Sequence, residues 1–166
     1  LRLTVEAHGL LAKKALGQNF LLDQNITDKI INLSLQKQNK KDFSSANVFE
    51  VGPGPGGLTR AVLAAEPKSL TVVEMDERCI AIMNEIKEKT GDILHIINGD
   101  AMQTDFSVLA PAPRHIISNL PYNISVPLLV GWLKNINAYD SLTLMFQKEV
   151  AERITAPIKT KDYGRI

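Results

Sequence analysis

Apolar positions along this chain fall into two rhythms. Between Asp23 and Gln36 they include helical spacings, at Ile26, Ile30, Ile31, Leu33 and Leu35, and Asp23 stands where a cap would accept from the first free amides. A polar linker, residues 37–46, follows. Beyond it, short continuous apolar runs alternate with amphipathic stretches. Val48–Val51 predicts a strand, a glycine turn comes next, and Leu58–Ala65 predicts a helix. Leu70–Glu74 predicts a second strand, and Asp76–Lys89 a helix with Ile80, Met83 and Ile86 on one face. Ile93–Asn98 and His115–Ser118 predict the third and fourth strands. Ser125 can cap a helix to about Lys134, with Pro127 tolerated in its first turn. Leu142–Phe146 predicts a fifth strand and Lys148–Ile154 a short helix.

Strands that are apolar throughout, alternating with helices, predict an α/β fold: a mostly parallel sheet with helices on both faces. Sheets of this kind bind ligands at the carboxyl ends of their strands, where the strand order reverses. The polar residues of interest fall there. Glu50 and Gly52 close the first strand, Glu74 the second, Asp100 follows the third and Asn119 the fourth.

Composition narrows the class. With 166 residues, 45% hydrophobic and 22% charged, the chain can build one domain with a real core and does not read as disordered. No apolar run approaches a membrane span, and Leu1-Arg2-Leu3-Thr4 lacks a secretory apolar region, so neither membrane attachment nor export is expected. Cys79 is the only cysteine, which excludes a disulfide framework and fits a reducing cytoplasm. His8, His95 and His115 lack metal-ligand spacing and read as surface or structural residues, so no metal is expected. A net charge of +1 does not announce a nucleic-acid binder. Lys148, Arg153, Lys159, Lys161 and Arg165 gather near the end of the chain, and read most simply as a solvated face.

The turn Glu50-Val51-Gly52-Pro53-Gly54-Pro55-Gly56-Gly57 lets a ligand approach the main chain closely. Gly52, Gly54 and Gly57 fit the dinucleotide fingerprint, with Glu74 roughly 20 residues on, where it could bind ribose hydroxyls. Two cofactors compete, NAD and S-adenosylmethionine. A pyrophosphate needs bare amides and no nearby carboxylate. Glu50 would oppose it and favours a ligand carrying an ammonium and a sulfonium. Asp100 could accept from an adenine amine. Asn119-Leu120-Pro121-Tyr122 suits a flat base with an exocyclic amine. The Asn119 side chain could accept one amine hydrogen and the Leu120 carbonyl the other, since Pro121 cannot pair in a ladder, and Tyr122 could stack on the ring. The plain alternative is a strand followed by a turn.

Six stretches occur in order: Gly17-Gln18-Asn19-Phe20-Leu21, Glu50-Val51-Gly52-Pro53-Gly54, Val73-Glu74-Met75-Asp76, Gly99-Asp100-Ala101-Met102, Asn119-Leu120-Pro121-Tyr122-Asn123-Ile124-Ser125 and Gln147-Lys148-Glu149-Val150-Ala151. Together they closely resemble the ribosomal RNA adenine N6-dimethyltransferases, the small-subunit branch most of all. The resemblance implies a Rossmann-like class I methyltransferase fold. It also implies N6,N6-dimethylation, from S-adenosylmethionine, of two adjacent adenines near the 3′ end of small-subunit rRNA during ribosome biogenesis. Asn19, Leu21, Gly52, Glu74, Asp100 and Asn119 are then expected at the cofactor, beside Glu50 and Gly54 from the turn, and Asn119, Leu120, Pro121 and Tyr122 at the target base. The partner would be the immature small subunit, the protein a cytoplasmic monomer. Residues 1–45 would form an arm and helix closing over the cofactor, with Asn19 and Phe20 as a lid, and residues 46–166 the methyltransferase core. The family's last two strands and its helical C-terminal domain would lie beyond residue 166, leaving strand five as an exposed edge. A large-subunit rRNA adenine methyltransferase, a non-catalytic RNA-binding assembly or transcription factor, and an NAD-dependent oxidoreductase are the rival readings.

Overall fold

A computed structural model of the protein describes residues 20–164. Its elements follow the predicted order. Helix α1 (Gln24–Lys37) is capped by Asp23, whose carboxylate accepts from the Asn25 amide. Then come β1 (Asn47–Val51), α2 (Gly57–Ala64), β2 (Ser69–Glu74), α3 (Glu77–Thr90), β3 (Leu94–Asn98), β4 (Arg114–Asn119), α4 (Ser125–Lys134), β5 (Ser141–Met145) and α5 (Lys148–Thr155). Asp76 caps α3 by accepting from the Arg78 amide. The expected cap at Ser125 is not formed. Ser125 is already helical, Ile124 occupies the cap position, and the Ser125 hydroxyl donates to the Tyr122 carbonyl at 3.1 Å.

All five strands are parallel, in the order β3-β2-β1-β4-β5. Side chains alternate across the sheet, so β1 feeds two cores. Val48 joins Leu35, Phe43, Val62, Leu70, Ile82 and Leu94 beneath α1, α2 and α3. Phe49 and Val51 join Phe106, Ile116, Leu128 and Trp132 beneath α4 on the other face. There Phe49, Phe106 and Trp132 stack edge to face, with ring centres 5.7 and 5.9 Å apart. Helices therefore change sides between β1 and β4, which makes that pair the switch point of the sheet. Among the described residues β5 pairs only with β4, and it is half-buried along its length. Among the described residues no helix is long and apolar enough to cross a membrane.

The switch point is also where the sheet opens. β1 stays paired with β2 as far as Val51–Val73, and β4 with β5 as far as Asn119–Met145. The β1–β4 ladder stops at Phe49–Ile116. Past that point the Ser118 hydroxyl stands in for the backbone. It donates to the Val51 carbonyl at 2.7 Å and accepts from the Val51 amide at 3.3 Å. Ser118 is wholly buried, so these groups have no water to turn to. Ser118→Ala should therefore destabilise the protein by about 1–3 kcal/mol, the cost of a buried amide and carbonyl left unpaired. Urea unfolding checks this, and a loss below ~0.5 kcal/mol would mean the strands re-pair without the hydroxyl.

Candidate functional site

A cavity of about 450 Å³ opens at the carboxyl ends of the parallel strands. Each wall is the residue that leaves a strand. Gly52 and Gly54 come from the turn after β1, Glu74, Met75 and Asp76 from β2, Gly99 and Asp100 from beyond β3, and Asn119, Leu120 and Pro121 from β4. Residues far apart in the chain thus meet because parallel strands all end on the same side of the sheet.

The glycine turn is held open by geometry that other residues would strain. Gly52 and Gly54 have φ of 63° and 54°, in the left-handed region. A Cβ on Gly52 would sit 3.1 Å from Pro121, and one on Gly54 2.8 Å from the Phe20 ring. The absent side chains let Pro121 and Phe20 close on the turn from two directions.

Glu74 is 9% exposed and ties the turn to the end of β2. Its Oε1 accepts from the Met75 and Asp76 amides at 2.8 and 2.9 Å, and its Oε2 from the Gly54 amide at 3.4 Å. Burial raises its carboxyl above the ordinary range, and the three backbone amides hold that rise in check. Since Asp76 caps α3, the carboxylate of Glu74 is not spent as the helix cap. Asp100 accepts from the Met102 amide at 2.8 Å and so caps the short 3₁₀ turn Ala101–Gln103 while lining the cavity.

Glu50 lies behind the turn, on the face of β1 covered by α2. It is 2% exposed and accepts from the Thr59 hydroxyl at 2.7 Å. Burial pushes its carboxyl up to about 8, the Thr59 bond pulls it down, and the charge of Glu74 pushes it further up. Glu50 lines a separate space of about 20 Å³ with Leu21, Gly52 and Asn119.

Most of the sequence-predicted residues thus converge on this end of the sheet. Gly52, Gly54, Glu74, Asp100, Asn119, Leu120 and Pro121 line the cavity at the strand ends, while Glu50 borders the smaller space and Leu21 borders both that space and another cavity of about 450 Å³ between α1 and α2. Tyr122 is half-buried and is not among the residues lining the cavity at the strand ends. Asn19 lies outside the described residues. Phe20, its neighbour, packs against the core and over Gly54. The apolar lining was not anticipated: Val51, Val73, Met75, Ala101, Met102 and Ile124. Met75 and Met102 are 63% and 46% exposed; Met75 directly follows Glu74 and Met102 stands two residues after Asp100, and that closeness to predicted site acids is the one signal that could have flagged them.

Other titratable groups are structural. His115 is buried, its Nε2 3.3 Å from Lys40 Nζ and its Nδ1 2.7 Å from Ser141 Oγ, and burial lowers it to about 4. Burial pushes the Cys79 thiol up to about 12. Among the described residues no group of three or more His, Cys, Asp or Glu is disposed to hold a metal ion.

An open, doubly wound parallel sheet with a glycine turn after its first strand and an acid at the end of the next defines a Rossmann-like fold. The comparisons with known proteins are more specific. The family model "Ribosomal RNA adenine dimethylase" matches residues 9–166, and the chain belongs to that family. It is 49% identical, over its whole length, to "Ribosomal RNA small subunit methyltransferase A" of Gluconobacter oxydans, of which it covers 53%. The like-named protein of Allorhizobium ampelinum is also 49% identical, with 60% of it covered. The chain therefore spans little more than half the length of these relatives. Among solved structures, a dimethyladenosine transferase from Plasmodium falciparum superposes with a TM-score of 0.73 at 32% identity, over 88% of this chain and 50% of that one. The 23S rRNA methyltransferase ErmE gives 0.64 at 26% identity, over 89% and 53%. The fold is that of the class I methyltransferases.

The raised carboxyl of Glu50 makes a pH prediction. In the unfolded chain Glu50 ionises in the ordinary range, near 4.5, while in the folded protein it holds its proton to about 8. Its folded form binds more protons in between, so stability falls as pH rises through that window, and Glu74 adds to the fall. His115 contributes below its ordinary value of 6.5, so the test lies above it. Between pH 6.5 and 8.5, Tm should decline in the parent and decline less in Glu50→Gln. Equal slopes would place the Glu50 proton elsewhere.

Proposed function

We propose that this chain carries the cofactor-binding and methyl-transfer part of an S-adenosylmethionine-dependent rRNA adenine N6-dimethyltransferase. Its substrate is two adjacent adenines near the 3′ end of small-subunit rRNA, in the immature small subunit. One observation carries the reading: Asn119-Leu120-Pro121 shares a single cavity with Glu74 and Asp100. Identity of 49% to small-subunit relatives, against 26% to the 23S enzyme, favours the small-subunit substrate.

The residues fit the cofactor. The ionisable groups around the cavity at the strand ends, among the described residues, are Glu74, Asp76 and Asp100, with Glu50 close behind. Acids repel the pyrophosphate of NAD and suit a nucleoside bearing an ammonium and a sulfonium. Glu74 would accept from the ribose hydroxyls, Asp100 from the adenine amine, and Met75, Met102 and Ile124 would offer apolar contact. Glu50, Gly52, Gly54, Leu21 and Asn119 complete the set, with Asn19 outside the described residues, and Phe20, seated on the turn, is the described part of the arm that would close over it.

S-adenosylmethionine, when bound, supplies an electrophilic methyl group. The chain supplies orientation and hydrogen-bond acceptors. Adenine N6 is a poor nucleophile because its lone pair is delocalised into the ring. Asn119 Oδ1 and the Leu120 carbonyl accept its two hydrogens and favour the pyramidal form in which the lone pair is free to attack. That help is greatest in the transition state, where it raises kcat. Tyr122 stacks on a base taken out of its helix. Transfer is direct, with no covalent enzyme intermediate. The protein works as a cytoplasmic monomer on its RNA partner, with exposed Lys148, Lys159 and Lys161 offering phosphate contacts.

Single-turnover methylation of immature small subunits by the full-length protein tests this. Asn119→Ala should lower kcat by a factor on the order of 10²–10³. Tyr122→Ala should lose about 1–3 kcal/mol of stacking and Tyr122→Phe should stay largely active. An unchanged rate in Asn119→Ala removes the central claim, and loss of activity in parallel with Tm across all three variants would reduce the tetrapeptide to a turn. Calorimetry tests the cofactor assignment separately. Glu74→Ala should weaken S-adenosylmethionine binding by roughly 1.5–3 kcal/mol for each charge-assisted bond lost. Undiminished affinity would mean that Glu74 does not hold the ribose.

A further inference from the structure

Thr59 belongs to none of the motifs that carry the function proposed above, yet it is wholly buried behind the site. A helical threonine commonly spends its hydroxyl proton on the carbonyl one turn back. Here that proton goes to Glu50 Oε2, 2.7 Å away, on a different element. The same hydroxyl lies 3.9 Å from Met83 Sδ, a weak acceptor. A hydroxyl has one proton to give, so the bond to Glu50 fixes the Thr59 side chain and restrains the carboxyl. Glu50 in turn borders the small space of about 20 Å³ between the glycine turn and Asn119, which is enough for one water-sized group.

The surroundings of Glu50 leave little else to control its charge. Thr59 faces it from α2, the neutral Met83 lies beside Thr59 from α3, and Asn119, across the small space, is neutral too. Among the described residues Glu74, at the end of β2, is the one charged group acting on it, and it disfavours ionisation. The Thr59 bond is the opposing influence.

Building on the cofactor reading above, we propose that Thr59 is a positioning residue. It turns the Glu50 carboxyl toward the small space and stabilises its ionised form, so that a cofactor bearing an ammonium binds with release of one proton from Glu50. The balance is simple. Glu50 gives up its carboxyl proton to the buffer, the ligand keeps its ammonium, and the two opposite charges pair out of water. No covalent bond forms or breaks apart from that O–H. The coupling gives cofactor affinity an acid limb that Thr59 sets and that removal of its hydroxyl displaces.

Two measurements on the full-length protein test this. The first is calorimetry with S-adenosylmethionine at pH 6.5, in buffers of different ionisation heat. An α-amino group titrates near 7.7–8.0 and so enters already charged, and loss of the proton release in Glu50→Gln separates Glu50 from Glu74 as its source. About one proton should be released per cofactor bound. Binding without proton release overturns this inference alone. An absence of binding at any pH overturns the cofactor reading and this inference with it. The second needs no cofactor: a carbon-13 titration of the Glu50 carboxyl. Its midpoint should lie near 8 in the parent, stay there in Thr59→Ser, and rise in Thr59→Val. Each unit of rise should weaken binding at pH 6.5 about tenfold. A purely packing role for Thr59 predicts a lower Tm in Thr59→Val with the midpoint unmoved, and that result overturns the proposal. Should Thr59→Val not fold, Thr59→Ala, which also removes the hydroxyl, takes its place, and a midpoint unmoved in it overturns the proposal.

Discussion

The parting of β1 from β4 is the constraint on which the rest of this structure depends. A parallel sheet gains by pairing every backbone group, and β1 does so with β2 to its last residue. On its other side the ladder ends early, and the Ser118 hydroxyl takes over both polar groups of Val51. The strands can then diverge without orphaned amides. Into the opening come the glycine turn and Pro121, close enough that a methyl group on Gly52 would crowd the proline. The cavity is a consequence of that parting, and its lining residues are simply those that leave the strands beside it.

Electrostatics give the opening its character. Glu74 at the rim of the sheet is buried and is held by three backbone amides, which oppose the effect of burial and fix its position. Glu50, one strand inward, has one hydroxyl for support and is pushed toward the neutral form. The two acids thus differ in support, one supplied with three backbone amides and the other with a single hydroxyl.

The half-buried faces of β5 contrast with the fully buried interior of β1. A strand with one neighbour keeps its outer amides and carbonyls unpaired by the sheet, and such an edge invites pairing. The chain covers little more than half of the relatives it matches. The helix α5 that follows carries exposed Lys148 and Arg153 and has no buried residue.

Much was legible in the sequence for physical reasons. Short runs rich in β-branched residues, such as Leu70–Val73, suit strands buried on both faces, and alternation with helices leaves a parallel sheet as the economical solution. Asp23 and Asp76 announce helix starts because short acids accept from amides that a helix leaves free. The glycine turn and the residues ending each strand mark the site, since parallel strands end together. Ser125 misled because a serine before an apolar run looks the same whether it caps the helix or stands just inside it. Other features belong to tertiary structure alone. No spacing says that Thr59 reaches back to Glu50, that Ser118 replaces a stretch of ladder, or that Met75 and Met102 line a cavity rather than simply standing in water. These depend on distances between elements that only packing sets. A local pattern determines which residues can be strand, helix or turn. The register of β1 against β4, and with it the shape and proton affinity of the site, is decided when the sheet assembles.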